Sequence, residues 1–499
     1  MSSLSIDQPA APSGVLGNLL KLRQSWLSID ANPLAISRAC SLPGILALHF
    51  VLLAALAATM QFSLSGLVMV MVGLAGCIVF PRHRLLVLVG ASLVYVFLRP
   101  FRTPDFTELV HGIAASPALA GPMHPLLFQG LAVGAFLLFA YALLEAQRRW
   151  PASGPARRPV LAMLVAFFAL LIVGAVIQPG SLAHGVIWSL LAVWASCFWF
   201  LAYAAADQRA KDTTPNVLRA GYMRPFWGGD AVPFGKGHAY LAKFDSSDDE
   251  GLAVTRLKAM KLAVWAALLA WLHLGLDTLV HGWAGVPRLN DAILSQVAGQ
   301  EVALGLRWAS LVTNYFLDLI IIAVWGHALV AVIRAAGWRI PRNTVNPLAS
   351  RSLAEFWNRY YFYFKELVVD FFFYPAFLRW FKKTPKLRIA FATICAAGVG
   401  NFIYHFMRET HVFAGSFDLE TLGRFATYAF YVSVLSAGLV ISQLRGRKPQ
   451  PADGLLRYEV LPRLNVMAFF CLLKIFDDIF GIGTLADRFT FLVRLFGVA

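Results

Sequence analysis

Long apolar stretches dominate this sequence and restrict what it can fold into. Each stretch has about 20 mainly apolar residues, the length that a helix needs to cross the hydrocarbon core of a bilayer. Eleven such runs are present, at 43–62, 64–80, 84–99, 123–146, 158–178, 184–205, 261–281, 303–333, 387–407, 424–444 and 463–483. We therefore predict an all-α fold: a polytopic transmembrane helix bundle of about eleven spans, with additional interfacial or re-entrant helices.

The composition agrees with lipid as the solvent. Of the 499 residues, 59% are hydrophobic and 14% are charged, against about 45–50% and about 25% in soluble domains. The five cysteines are scattered, with neither a CxxC pair nor a metal-ligand spacing, and are expected to be packing residues. We expect no metal site and no soluble domain of ordinary size.

The positive charge follows the pattern of a membrane protein. The net charge is +16, but the basic residues lie mostly between apolar runs, so we expect the lipid bilayer and no nucleic acid as a partner. Arg82 and Arg84 follow the second run, and Arg148–Arg158 separates the fourth from the fifth, whereas 178–184 has no Lys or Arg. The positive-inside rule then predicts a cytoplasmic N-terminus, with 206–260 and 445–462 cytoplasmic.

Four segments follow from this pattern. We predict a cytoplasmic or interfacial segment over 1–42, transmembrane helices over 43–205, a cytoplasmic Gly/Pro-rich loop with an amphipathic helix over 206–260, and a helical core with the C-terminal spans over 261–499. Within the loop, Gly235-Lys236-Gly237 matches neither a Walker A nor a Rossmann spacing, so nucleotide binding is not expected. The amphipathic helix is predicted at 252–262.

The segment 351–375 combines dense aromatic residues with six charges. Such a segment cannot lie in lipid as an ordinary span, so we predict an interfacial or cavity-lining helix. Glu355 and Arg359 are four residues apart and are expected to pair. Asp370 is followed by three phenylalanines and needs a partner, for which Arg359 and Arg379 are candidates.

A polar stripe is predicted in the run 387–407. Asn401, His405 and Glu409 are spaced by four residues and share one helical face. A histidine in a membrane helix is costly unless it faces a cavity or a partner. From the residues alone, His405 is either functional or a core histidine bonded to a neighbouring Asn or Tyr.

Other intramembrane polar groups compete with this stripe. His273 and Asp277 are four residues apart in one run, and Asp318 and His327 lie in the next. These four residues could build a proton or ion pathway. In the last run, Lys474, Asp477 and Asp478 are expected to neutralise one another.

Three pieces of the sequence together resemble the membrane-bound O-acyltransferase (MBOAT) family. They are Phe356-Trp357-Asn358-Arg359-Tyr360-Tyr361, then Asp370-Phe-Phe-Phe-Tyr-Pro375, then His405 in an apolar helix. Bacterial members carry similar motifs, with Arg before the Asp and with Trp and Gly flanking the His. Here those positions hold Val369, Tyr404 and Phe406, and Tyr361 occupies a position where the family has His or Asn.

The resemblance implies a function and a set of roles. His405 would be the general base in a transmembrane tunnel, removing the proton of an acceptor hydroxyl that attacks an acyl thioester. Asp370, Asn358 and Tyr361 would complete the catalytic residues, and Asn401, Trp357 and Arg359 would bind substrate. No bound cofactor is implied. Acyl-CoA or an acyl carrier thioester would be the co-substrate, and the hydroxyl acceptor a polysaccharide, a lipid or a small metabolite.

The family is bacterial in type, so the expected location is the inner (cytoplasmic) membrane, and 261–499 would contain the catalytic core. Two alternatives stay open. One is a polytopic transporter or flippase that uses His273, Asp277, Asp318 and His327, although no internal repeat supports it. The other is a membrane scaffold without catalytic activity.

Overall fold

The structure is a computed structural model that describes residues 22–116, 124–209, 213–227, 232–445 and 450–498. These residues are all-helical apart from loops and one isolated bridge between Asp245 and Trp338. Seven helices are long and apolar enough to cross a bilayer, or eight if one bent pair is counted as a single span. The predicted all-α fold with membrane-length helices is confirmed, but the count of eleven spans is not.

The described residues leave out parts of several predictions. The first half of the predicted 1–42 segment, residues 228–230 of the Gly/Pro-rich loop, and the basic residues Arg447 and Lys448 all lie outside them.

The N-terminal half contains helices of very different lengths, several of which begin with proline, whose fixed φ suits the first helical turn. They are Pro33–Cys40, Leu42–Ala58, Leu64–Val79, Arg84–Leu98, Pro104–Ala114, Pro125–Arg149, Gly154–Arg157, Pro159–Val176 and Leu182–Arg209.

The middle of the chain forms two long helices and three short ones. They are Asn216–Gly221, His238–Ala242, Asp249–Asp277, Leu289–Val297 and Leu304–Ala335.

The C-terminal third is more broken. Its α-helices are Leu353–Tyr360, Phe362–Val368, Tyr374–Arg379, Pro385–Thr393, Asn401–Arg408, Leu419–Gly423, Ala426–Leu444, Leu461–Leu473 and Leu485–Arg494. Among the described residues, π-helical turns occupy Thr278–Trp283, Val369–Phe373, Ile394–Gly400 and Leu456–Val460, and 3-10 turns occupy Ile29–Ala31, Pro347–Ala349, Thr410–Ala414, Pro451–Asp453 and Lys474–Phe476.

A sharp bend comes just before the first apolar run. Pro33–Cys40 and Leu42–Ala58 meet at 98°, and the side chain of Ser41 caps the second helix by accepting from Gly44 N at 3.3 Å. A Cβ on Gly44 would lie 1.9 Å from the Arg38 carbonyl oxygen, so the tight corner requires glycine there.

The predicted amphipathic helix at 252–262 is not a separate element. It is the first part of one apolar helix, Asp249–Trp283, so the predicted boundary at residue 260 falls inside that helix. At about 1.5 Å per residue its 35 residues span about 52 Å, longer than the ~30 Å hydrocarbon core. Its N-terminal turns pack on protein, because Lys258 and Lys261 both pair with Asp30.

The Gly/Pro-rich loop is packed inside the bundle. Residues 221–227 and 232–238 are buried almost without exception, and Phe226, Trp227 and Phe234 belong to a core that also includes the helices Asp249–Asp277 and Leu304–Ala335. Aromatic residues among the glycines make this burial possible, whereas a solvated linker would leave them exposed. The loop therefore positions residues within the bundle interior.

Candidate functional site

A helical hairpin carries Asp370 and His405. Its first arm, residues 362–379, and its second arm, Pro385–Arg408, run antiparallel and pack along each other. The arms contain one π-helical turn each, Val369–Phe373 and Ile394–Gly400, and these turns face each other. A π turn adds a residue to the helix and reorients the side chains around it, and such turns are frequent at functional sites.

Asp370 lies in a partly buried cluster of charges, in which Lys236 of the Gly/Pro-rich loop is buried and the three first-arm residues are half-buried. Lys236 Nζ lies 2.5 Å from Asp370 Oδ2 and 3.5 Å from Glu366 Oε2. The hydroxyl of Tyr203 donates to Asp370 Oδ2 at 3.1 Å. Lys365 Nζ lies 2.5 Å from the other oxygen of Glu366. Two cations thus face two carboxylates, and the cluster is neutral as a whole.

The ionised form of Glu366 is favoured within this cluster. Burial alone would raise the pKa of its carboxyl, but the hydrogen bonds and charges of Lys365 and Lys236 outweigh burial and hold the pKa below its usual value. Removing one member of such a pair leaves an uncompensated charge away from water, which destabilises the fold strongly. The cluster therefore has the properties of a structural joint between the loop and the hairpin.

Two glycines explain how Lys236 reaches this position. A Cβ on Gly235 would lie 3.1 Å from the backbone oxygen of Trp199, and one on Gly237 would lie 2.5 Å from a carboxylate oxygen of Asp207. Both contacts are with the helix Leu182–Arg209. A side chain at either position would crowd this helix, so the two glycines let the loop pass close to it and carry Lys236 into the bundle.

The predicted partners of Asp370 were therefore wrong. Arg359 pairs with Glu355 at 2.7 Å, as its spacing predicted, and Arg379 is exposed. The actual partner, Lys236, is 134 residues away in sequence, and a spacing argument within one helix cannot find a contact of that kind.

His405 lies in an aromatic pocket on the second arm. Its ring centroid is 4.9 Å from that of Tyr428, 5.0 Å from that of Tyr404 and 5.7 Å from that of Phe364. The side chain is half-buried, and within the part of the chain that the structure describes its imidazole makes no hydrogen bond. A ring nitrogen is thus left without a protein partner.

The neighbours of His405 are held more firmly. Tyr428 OH donates to Asn401 Oδ1 at 3.0 Å, and both residues are buried. Arg102 donates to the hydroxyl of Tyr404 at 2.6 Å. Of the two sequence-based interpretations of His405, a core histidine bonded to a neighbouring Asn or Tyr does not describe this geometry, because Asn401 bonds Tyr428 instead.

Glu409, the last residue of the polar stripe, is buried, whereas His405 is half-buried. It follows the helix Asn401–Arg408, is 4% exposed, and its Oε1 has no hydrogen-bond partner. Burial raises the pKa of its carboxyl to about 7, although the charge of Arg408 acts in the opposite direction. A protonated carboxylic acid is therefore substantially populated at neutral pH.

The predicted substrate-binding segment meets His405 through one shared ring. Phe364 stacks with Trp357 at 6.4 Å and contacts Tyr361 at 5.4 Å, and its other neighbours are Tyr404 and His405. Sequence reasoning missed Phe364 because it is one of many phenylalanines in this segment. Trp357, Tyr361 and His405 thus surround a common aromatic centre.

A cavity of about 270 Å³ lies beside this centre. It is lined by both arms of the hairpin together with the helices Leu353–Tyr360 and Ala426–Leu444. Trp357, Asn358 and Lys365 supply the larger polar and aromatic lining groups, with Thr393 and Gln443 opposite. Asn358 is exposed. His405 is not among the lining residues of this cavity.

The structure thus divides the predicted site residues into three places. His405 and Tyr361 share the aromatic pocket, to which Trp357 contributes through Phe364, and Asn401 supports the pocket through Tyr428. Trp357 and Asn358 line the cavity. Asp370 and Arg359 belong to ion pairs. Lys236 and Tyr203 were missed, and the unusual Gly-Lys-Gly sequence was the signal that could have pointed to Lys236.

The competing intramembrane carboxylates are also paired. Asp277 pairs with Arg288 at 2.6 Å, and Asp318 pairs with Lys474 at 2.5 Å. Lys474 also pairs with Asp477 at 2.7 Å, as predicted.

Asp478, by contrast, pairs with Arg488 rather than with the lysine, again at 2.7 Å. The predicted mutual neutralisation of Lys474, Asp477 and Asp478 is therefore correct for the first two only.

Comparison with known proteins adds no identity to this geometry. No protein-family model matches the chain, and the search of curated proteins finds no match either. No group of three or more His, Cys, Asp or Glu side chains among the described residues could hold a metal ion.

Proposed function

We propose that this chain is a membrane-embedded O-acyltransferase of the MBOAT type, with His405 as general base. One observation carries the proposal: the imidazole of His405 is enclosed by three aromatic rings yet makes no hydrogen bond within the described residues. A base must keep a nitrogen available for the proton it removes.

The sequence motifs support the same proposal. The first and the third of the pieces that resemble the family are separated by more than 40 residues, yet Trp357 of the first and His405 of the third both contact Phe364. The proposal includes about eleven crossings of a bacterial cytoplasmic membrane: the seven long helices, the bent pair as an eighth, and the shorter helices Leu64–Val79, Arg84–Leu98 and Leu461–Leu473. The cytoplasmic N-terminus rests on the distribution of Lys and Arg.

The chemistry proposed for His405 is a proton transfer coupled to acyl transfer. The acceptor oxygen attacks the thioester carbonyl while its proton passes to the imidazole. The new C–O ester bond forms, the C–S bond breaks, and the proton passes on to the leaving sulfur as a free thiol. Tyr361 is proposed to donate to the acyl carbonyl, and Asn358 to orient substrate in the adjoining cavity.

Asp370 receives a positioning role in this proposal rather than a reacting one. Its carboxylate is occupied by Lys236 and Tyr203. It fixes the first arm, and through that arm Phe364, against which the His405 ring packs.

The test is thioester consumption by the purified protein in nanodiscs. Acyl-CoA is supplied with a panel of hydroxyl acceptors, and free CoA is separated and quantified. His405→Ala is expected to lower turnover about 10²–10⁴-fold, the usual contribution of a general base. Folding should survive, because a half-buried ring in a pocket contributes little packing.

His327→Ala is the matched control, since His327 is another histidine within a membrane-length helix. Turnover should be unchanged in this variant. If the native protein consumes no thioester, or if His327→Ala abolishes turnover and His405→Ala does not, the proposal fails and a pathway through the other intramembrane groups becomes the better account.

A further inference from the structure

The turn of the hairpin exposes four cations without partners. We call residues 378–387 the basic tip. Arg379, Lys382, Lys383 and Lys386 are all exposed, and within the described residues none of them makes an ion pair or hydrogen bond. Arg388, just beyond the tip, is different, because it donates to the Phe377 carbonyl at 2.5 Å and lies over that ring.

Large apolar side chains are exposed among these cations. Leu378, Trp380 and Leu387 are 60%, 58% and 48% exposed, and Phe381 is 41% exposed. The two aromatic rings are not loose, since both pack against Phe391, at 6.2 Å for Trp380 and 5.2 Å for Phe381. The tip is therefore a preformed surface of aromatic and basic side chains.

The hairpin has no acidic residue close to the tip, because Glu366 and Asp370 lie farther along the first arm and are paired with lysines. Between Asp370 and Glu409 the chain has no acidic residue. A water-exposed basic surface would normally be interspersed with acids, whereas aromatic rings beside lysines are typical of the boundary between hydrocarbon and headgroups. Charge complementarity therefore selects an anionic lipid surface as the partner.

We propose that the basic tip docks on anionic phospholipid headgroups of one leaflet, with Trp380 and Phe381 at the hydrocarbon boundary and the four cations among the phosphates. By the positive-inside rule this is the cytoplasmic leaflet. The contact also fixes how deeply the second arm lies in the bilayer. Lys386 and His405 are 19 residues apart, which is about 28 Å along a helix. Because the hydrocarbon core is ~30 Å thick, docking of the tip holds His405 close to the opposite boundary of the core. This inference does not depend on the proposed catalytic activity.

The experiment compares the full chain in nanodiscs of phosphatidylcholine with nanodiscs that also contain phosphatidylglycerol. The anionic lipid should raise the thermal midpoint of the native protein. Replacing Lys382, Lys383 and Lys386 by Gln should remove at least half of that increase while leaving the midpoint in pure phosphatidylcholine unchanged. The matched control replaces Arg149, Arg157 and Arg158 by Gln, which removes the same charge from another exposed basic loop.

A photoactivatable phosphatidylglycerol provides a second measurement that does not depend on stability. Labelling should concentrate on the peptide containing 378–387 and should fall in the triple lysine variant. Equal loss of the lipid effect in both triple variants would show general charge attraction and overturn the proposal, as would labelling that avoids the tip.

Discussion

The two polar centres of the hairpin differ in how completely their groups are paired. On the first arm, Asp370 and Glu366 are each held by a lysine, and Lys236 is almost fully buried. On the second arm, His405 is surrounded by rings and makes no hydrogen bond within the described chain. Both centres lie in an apolar bundle, where an unpaired polar group is costly.

This difference separates a structural role from a chemical one. A cluster whose charges all satisfy one another holds elements together and has no free group to offer a substrate. A polar side chain that the fold leaves unpaired can be used for chemistry, and its cost is met by the packing around it. The comparison therefore predicts that variants in the two centres affect different measurements.

Lys236→Met is the most direct test of the charge cluster around Asp370. It leaves Asp370 without its cation in a site where the lysine is 7% exposed, and we expect a loss of about 3–5 kcal/mol in the free energy of unfolding. Reversible unfolding in mixed detergent measures this loss.

The double variant Lys236→Met with Asp370→Leu sharpens the same test. It removes both charges and leaves Glu366 with Lys365, so most of the stability should return. Arg288→Ala is a control at a more exposed pair and should cost about 0–1 kcal/mol. A double variant as unstable as the single one would show that the charges themselves are not the cause.

Gly235→Ala tests the close approach of the loop that carries Lys236. The new Cβ would lie 2.9 Å from the Tyr203 ring and 3.1 Å from the Trp199 backbone oxygen, and overpacking of this kind costs about 1–3 kcal/mol. Gly130→Ala, at a helical position with no atom within 4 Å, should be neutral or slightly stabilising. Equal thermal midpoints for the two variants would contradict the packing argument.

Tyr428→Phe tests the aromatic pocket around His405 without changing His405 itself. The variant removes the hydrogen bond to Asn401 at 3.0 Å, which costs about 0.5–1.5 kcal/mol, and it keeps the ring that packs against His405. Stability should therefore fall slightly while turnover falls more, because the pocket wall can shift. Unchanged turnover with the full stability loss would remove Tyr428 from the support of His405.

The smallest effect is expected from pH, through Glu409. Its pKa is raised from 4.5 to about 7 in the folded protein, so the folded state binds more protons than the unfolded state between these values. Stability from this group is complete below about pH 4.5 and is lost as pH rises through about 7. Glu409→Gln should flatten the decline of the thermal midpoint over that interval, and an unchanged pH profile would contradict the burial of this carboxyl.

Hydropathy predicted the fold class because a long helix that faces lipid must be mainly apolar, and such helices appear in the sequence as long apolar runs. The number of spans stays a prediction, since Leu64–Val79 and Arg84–Leu98 have 16 and 15 residues, fewer than the ~20 of an ordinary span, and the last run yields only Leu461–Leu473 before a 3-10 turn. The helix 249–283 also runs through a predicted boundary. Run lengths cannot show where backbone geometry changes.

Short-range spacing predicted the site only in part. It found the pair of Glu355 and Arg359, because both lie on one helix face. It could not find Lys236 as the partner of Asp370, since that contact depends on how a distant loop packs. The same reasoning underestimated how deeply the Gly/Pro-rich loop is buried. Its glycines allow a close approach to a helix and do not indicate an exposed loop.

The most direct test of the central claim measures thioester turnover per folded molecule for His405→Gln and Asp370→Asn side by side. We predict that His405→Gln keeps the native thermal midpoint and loses turnover about 10²–10⁴-fold, whereas Asp370→Asn unfolds at a lower temperature but retains most of its turnover once the folded fraction is taken into account. Near-native turnover in His405→Gln, with the loss confined to Asp370→Asn, would contradict the account.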